Sequence, residues 1–269
     1  MERLNWNRMN TYTVPSFDPE QYERMRMDSY NASSGNLTDY DCPKCRNRGN
    51  FLRLREDLSR YFVPCSCMKT RSALRRLAAS GFQNIVREMT FDRFQASEGW
   101  QQALKEGAME FAREGSGWLL ISGPSGIGKT HLCTAVCRER LLKGEDVHYM
   151  SWRGDSARLK ARITEDPERE ALLQRIKNVQ VLYIDDLFKT GAGSDGQSRP
   201  SSADLNLAFE ILNHRYINHL CTLLSTETTV SQLLKIDTAT ASRIVERCGS
   251  HAYSVREGKN YRLRNLQRL

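Results

Sequence analysis

Residues 121–130 read ISGPSGIGKT, with the apolar run WLLIS at 118–122 in front and a helix-patterned segment behind. No other stretch restricts the fold as strongly. A loop that only turns a corner needs one or two special residues. This one places Gly123, Pro124, Ser125, Gly126, Ile127 and Gly128 in a row before Lys129 and Thr130, and so fits G-x-x-x-x-G-K-[ST] in full. Gly126 and Gly128 have no Cβ, so the backbone can curl around an anion with its N–H groups inward. The helix opening at Lys129 aims its positive end at the same place. Lys129 is expected to neutralise β- and γ-phosphates and Thr130 to ligate Mg²⁺. His131, next in line, joins the candidate nucleotide-binding set.

Such a loop needs a second acid to hold the metal, and VLYIDD at 181–186 supplies it. Four apolar residues end in Asp185 and Asp186 at the C-terminal edge of an expected strand, where ligands of open parallel sheets bind. Asp185 is expected to hold Mg²⁺ through water, and Asp186 to orient or deprotonate the attacking water. The rest of the pattern agrees with an α/β fold. Strands are expected at 118–122, 147–151, 179–185, 221–225 and near 252–255. Helices are expected at 103–112, 129–142, within 155–178, and at 203–218, 230–235 and 238–247. Alternation of this kind predicts a mostly parallel sheet with helices on both faces.

Four of the eight cysteines form CPKC and CSC: Cys42, Cys45, Cys65 and Cys67. Two close pairs suit tetrahedral Zn²⁺, and metal would stabilise a segment with little apolar mass of its own. A redox CxxC and plain buried thiols stay open as alternatives. Arg46, Arg48, Phe51, Arg53, Arg55, Arg60, Tyr61 and Phe62 surround the thiols, a mixture that suits single-stranded nucleic acid or a protein-docking face, with docking favoured. The segment 189–204 is rich in Gly, Ser and Pro. It reads as an unordered insertion, or as a loop touching DNA through Lys189 and Arg199.

The domain plan expected is a polar, partly ordered segment at 1–38 with a short helix near 19–27, a zinc-binding module at 39–70, a linker at 71–95 and an ATPase domain at 96–269. The net charge is +8, and residues 243–269 carry seven Lys or Arg against two acids. That balance suits polyanionic partners as well as simple solubility. No apolar run reaches the length of a membrane helix and no signal-peptide pattern opens the chain, so a soluble cytoplasmic protein without a membrane partner is expected.

GPSGIGKT, VLYIDD, NHRY (213–216), LLSTET (223–228) and ASRIVERC (241–248), with a TFDRF-like segment before the core and CPKC…CSC ahead of it, resemble the AAA+ ATPases of the DnaC type. These are bacterial and phage replicative helicase loaders, related to the IstB-type transposition helper ATPases. The resemblance implies a five-stranded AAA+ sheet, self-association into a ring or open spiral, and ATP held between neighbouring subunits. It implies a replicative hexameric helicase and single-stranded DNA as partners. Carried over by position, it gives Ser225, Thr226 and Glu227 the sensor-1 stretch, Arg243 the arginine finger and Arg262 a sensor-2 role, with Arg215 as a further intersubunit contact. Two departures stand out. The second acid is Asp186 where the family usually has Glu, and Glu227 ends a stretch that usually shows Asn. A shorter base aligns water poorly, so slow hydrolysis is expected, with ATP acting mainly as an assembly switch and Glu227 sharing the water. A transposition helper, or an adaptor that binds nucleotide without hydrolysis, are the competing readings.

Overall fold

The computed structural model describes residues 17–79, 86, 88–114, 116–160, 167–189, 199–258 and 260–263. It divides into two compact units, Met1–Met68 and Lys69–Leu269. The break expected at Gly81 and most of the 189–204 segment lie outside the described residues.

The first unit opens with α1, Pro19–Ala32. Asp18 caps it by accepting from the Glu20 amide at 2.9 Å and the Gln21 amide at 3.3 Å, and Pro19 occupies the first turn, where its missing N–H costs nothing. The helix runs past the expected end at Met27. Two antiparallel strands follow, β1 (Asn50–Leu54) and β2 (Arg60–Pro64). This hairpin adds to the expected module, whose thiols dominate the sequence pattern there. Asn31 clips α1 to the hairpin: its amide accepts from the Leu52 N–H at 2.9 Å and donates to the Leu52 carbonyl at 3.1 Å.

After α2 (Cys67–Ala79), the second unit is built on a five-stranded parallel sheet. Its strands are β3 (Trp118–Ser122), β4 (Val147–Ser151), β5 (Val181–Asp185), β6 (Cys221–Thr226) and β7 (Ala252–Ser254), in the spatial order β4-β5-β6-β3-β7. The helices are α3 (Gly99–Glu114), α4 (Lys129–Leu142), α5 (Trp152–Lys160), α6 (Pro167–Asn178), α7 (Ser202–Ile217), α8 (Val230–Ile236) and α9 (Thr238–Cys248). Strand alternation sorts side chains to two faces. Leu119, Ile121, Tyr183 and Leu223 pack with Leu104 and Phe111 of α3 and Leu132 and Val136 of α4. Trp118, Leu120, Ile184 and Leu224 pack with Trp152, Ile176, Ile211 and Ile244 on the other face. Each such Leu or Ile, fully withdrawn from water, contributes about 2 kcal/mol. Burial on both faces explains why these strands read as continuous apolar runs rather than alternating ones.

Side-chain caps explain where three helices of this unit start. Ser201 and Asp204 form a reciprocal capping box before α7, Thr229 and Gln232 another before α8, and Asp237 caps α9. Among the described residues no helix is long and apolar enough to cross a membrane.

Candidate functional site

The C-terminal ends of β3, β5 and β6 meet at one edge of the sheet. β3 feeds the glycine loop, β5 delivers Asp185 and Asp186, and β6 delivers Thr226 and Glu227. Gly123, Gly126 and Gly128 hold φ of 149°, 83° and 96°, values that L side chains resist. Space is as tight as torsion here: a Cβ on Gly126 would lie 1.9 Å from Asn260 Oδ1, and one on Gly128 would lie 2.5 Å from Phe94 Cε2. Gly128 is the N-cap of α4 and offers no side-chain cap, so the first amides of that helix stay available to an anion. Lys129 is buried, and its Nζ donates to the carbonyls of Gly123 at 2.8 Å and Pro124 at 2.9 Å. Burial pulls its ammonium below the usual lysine range, against the opposing pull of Glu227 and Asp186. This cradle of amides with one desolvated cation fits a polyphosphate.

Asp185 is the hub of the floor. Its Oδ1 accepts from Thr130 Oγ1 at 3.2 Å, from the Tyr183 hydroxyl at 2.5 Å and from Ser225 Oγ at 2.5 Å, while Oδ2 accepts from the Tyr149 hydroxyl at 3.0 Å. Burial, then the Asp185 charge, pushes the Tyr149 phenol up; burial and the neighbouring Cys133 and Asp185 do the same to Tyr183, so both stay protonated donors. Thr130 and Asp185 form the hydroxyl-plus-carboxylate pair that suits Mg²⁺. Tyr149 and Tyr183 are additions to the residues expected from the sequence. The available signal is register: Tyr183 precedes Asp185 by two on the same strand face, and Tyr149 is its partner on β4.

Asp186 turns away from the strand with φ 56°, and its amide donates to Ser225 Oγ at 3.0 Å. Its carboxylate and that of Glu227 meet the same cation: Lys189 Nζ donates to Asp186 Oδ2 at 3.1 Å and to Glu227 Oε1 at 2.8 Å. Lys189 therefore faces the cleft, while residues 190–198 of the segment read as an unordered insertion or a DNA-touching loop lie outside the described residues. Burial raises Glu227, but Lys189 and then Lys129 outweigh it and hold the carboxyl below its ordinary range.

The cleft encloses about 540 Å³, lined on its far side by Met89, Asp92, Phe94 and Gln95, within the size range of small-ligand sites. His131 is fixed beside it by a 2.8 Å contact with the Thr90 carbonyl and an edge-on contact with Phe94. Arg262 lines the cleft as well. It rides on a short C-terminal strap in which the Tyr261 amide donates to the Gly126 carbonyl at 3.1 Å and the Tyr261 hydroxyl to Gln95.

Arg243 lies outside this cleft, on α9. Its Nη1 donates to the Ala239 carbonyl at 2.7 Å, and its guanidinium lies 5.2 Å from the Phe209 ring and 5.5 Å from that of Tyr216. Arg215 is different. It is 0% exposed and donates to Thr222 Oγ1, to the carbonyls of Ile176, Lys177 and Val179, and to that of Cys221. It ties the end of α6 to the start of β6 inside one chain, which corrects the expectation of an intersubunit contact.

In the first unit the four thiols converge. Their sulfurs lie within 4.8 Å of one another, with Cys42–Cys65 at 3.9 Å and Cys45–Cys67 at 3.6 Å. Zinc–sulfur bonds of about 2.3 Å at tetrahedral angles give edges of roughly 3.8 Å, so the donor set fits zinc. Arg46 and Asn47 adopt φ of 48° and 63°, the bend that turns Cys45 back, and the Gly49 amide donates to Cys45 Sγ at 3.3 Å. Burial pushes the Cys45 thiol up, but that amide and the neighbouring thiols prevail and set it at about 7. A thiol so poised readily becomes the thiolate that zinc requires. Of the surrounding basic residues, Arg48 stacks on Tyr30, Arg55 on Tyr61, and Arg60 pairs with Glu23 at 2.6 Å. Phe62 stays 59% exposed.

The IstB-like ATP binding protein family matches residues 66–268. The phage-like element PBSX protein XkdC of Bacillus subtilis (strain 168) is 33% identical over 236 residues, 83% of this chain and 85% of that protein. The replicative helicase loader DnaC of Escherichia coli (strain K12) is 29% identical over 113 residues, 40% of this chain and 46% of that one. The crystal structure of DnaI shares the fold, with a TM-score of 0.50 and 23% identity over 66% of this chain and 93% of DnaI.

Proposed function

Because this chain belongs to the IstB-like ATP binding protein family and carries the AAA+ P-loop fold, we propose that it is an ATP-dependent loader of a replicative hexameric helicase. The observation that carries this reading is the convergence of Lys129, Thr130 and Asp185 under a loop whose glycines cannot accept a Cβ. Within it, Lys129 and the α4 amides bind the β- and γ-phosphates. Thr130 and Asp185 hold Mg²⁺, which when bound neutralises charge on the transferring phosphoryl group. Asp186 and Glu227 orient the attacking water, and the tyrosine hydroxyls keep the Asp185 carboxylate in place. Arg262 reaches the phosphates from the strap. Arg243, remote from its own cleft, serves the cleft of an adjoining copy in a ring or spiral.

The thiol-bearing unit, with zinc held by Cys42, Cys45, Cys65 and Cys67, docks the helicase through the exposed face of β2, where Tyr61, Phe62 and Val63 are presented. Its arginines are largely engaged within the unit, which favours protein docking there over single-stranded DNA. The assembled ATPase domains contact the DNA, in line with the chain's basic balance. The replicative helicase loader among the relatives supports this reading over a transposition helper. A non-hydrolysing adaptor is the second reading, favoured by the short Asp186 carboxylate being tied to Lys189.

Single-turnover ATP hydrolysis tests the proposal. Lys129→Ala should abolish nucleotide binding. Asp186→Asn and Glu227→Gln should each slow phosphate release about tenfold or more. An unchanged rate in Glu227→Gln rules out a shared water, and no phosphate release by the parent protein, with or without single-stranded DNA and helicase, leaves only the adaptor.

A further inference from the structure

Lys189 has no role in the scheme above, yet it holds a central place. It is set by an anchored turn: the Leu187 amide donates to the Ser225 carbonyl at 2.8 Å, the Lys189 amide to the Asp186 carbonyl at 2.9 Å, and Phe188 between them is buried against Trp152. Its ammonium bridges two carboxylates that leave neighbouring strands, Asp186 after β5 and Glu227 after β6. It lines the same cleft as Lys129, Ser125 and Gly126. Two acids so near a phosphate cradle would repel the last phosphate of a triphosphate, and a cation between them removes that conflict. A lysine ammonium on a four-carbon stem can change partners without moving the backbone.

Resting on the reading of this cleft as an ATP site, we propose that Lys189 is the residue that distinguishes triphosphate from diphosphate. Its ammonium clamps Asp186 and Glu227 together. When a γ-phosphate enters, the ammonium exchanges one carboxylate for a phosphate oxygen, and the released carboxylate becomes free to orient water. A diphosphate does not reach the ammonium and leaves the clamp shut. Lys129, by contrast, serves both nucleotides.

The test is equilibrium binding of fluorescent ATP and ADP analogues with Mg²⁺ to the full chain. Lys189→Met and Lys189→Gln should weaken ATP about tenfold, the loss of one charge-assisted hydrogen bond, and leave ADP within about twofold; unchanged ADP binding also reports an intact fold. The double variant Lys189→Met/Glu227→Gln should regain at most part of the lost ATP binding, because the repulsion is relieved but the hydrogen bond to the phosphate is not replaced. Equal weakening of both nucleotides, no change in either, or full recovery of ATP binding in the double variant would overturn the proposal, the last because the lysine would then act only by neutralising Glu227. Failure of the underlying reading looks different: the parent protein would bind neither nucleotide.

Discussion

Two buried side chains show how much single residues matter in this chain. His148 on β4 is 8% exposed and is pulled down from 6.5 to about 4 by burial, with Arg175 and Arg215 adding to the effect. It is therefore neutral in the folded state at pH 5, whereas in the unfolded chain it is mostly protonated. The unfolded state binds more protons between the two values, so stability is full above about pH 6.5 and falls as pH drops toward 4. At pH 5 the loss is about 2 kcal/mol relative to pH 7. Urea unfolding of the parent and of His148→Leu at both pH values checks this: the variant should show a smaller acid loss by about that amount. Arg215 is the second case. Its burial brings the guanidinium down to about 10, and its cost is offset by the carbonyls it satisfies. Arg215→Ala strands those carbonyls and should cost about 3 kcal/mol in chemical unfolding. A loss of ATPase in that variant without a loss of stability would revive an intersubunit role. Such roles are hard to read from sequence, because NHRY looks the same whether its arginine points inward or outward; only the packing of α7 on α6 and β6 decides.

At the scale of elements, the parts with strong local chemistry were legible. GPSGIGKT marks the β3–α4 junction and VLYIDD the end of β5, because left-handed glycines before a lysine, and an apolar run closed by acids, are compatible with few local structures. Capping boxes at Ser201 and Thr229 are equally local, and α7 and α8 begin within a residue of expectation. The β1–β2 hairpin was readable from its apolar positions around the Arg55–Ser59 turn but was hidden by the thiols beside it. The clamp made by Lys189 was not legible: it depends on β5 and β6 being neighbours, and nothing local to residues 189 or 227 records that. The thiol-bearing unit carries its own prediction. Purified protein should contain one zinc per chain, and Cys42→Ser or a strong chelator should remove it and melt the hairpin, since metal binding is folding energy for so small a unit. Parent protein purified without zinc would leave the cysteines as packing alone, and a hairpin that survives metal loss would show that the metal is not needed for its fold.

At the scale of the whole molecule, the proposed function divides one reaction between two copies. The cleft gathers in one chain the residues proposed to bind phosphate, hold metal and orient water, while Arg243 stands outside it on α9. An arginine finger supplied by a neighbour makes hydrolysis depend on assembly, and its removal costs about 10³-fold or more in rate. Under the proposed loader function, this coupling would let nucleotide state govern when a ring or spiral holds together and when it releases the helicase.

Mixing two inactive variants tests that coupling most directly. Lys129→Ala lacks a working cleft but keeps its finger; Arg243→Ala keeps the cleft but lacks the finger. Each alone should hydrolyse ATP at background. Mixed in equal amounts, they should recover about a quarter of the parent rate, because in a random assembly about one interface in four joins a sound cleft to a sound finger. A mixture that stays at background while the parent is active, or Arg243→Ala that hydrolyses like the parent by itself, would contradict the account.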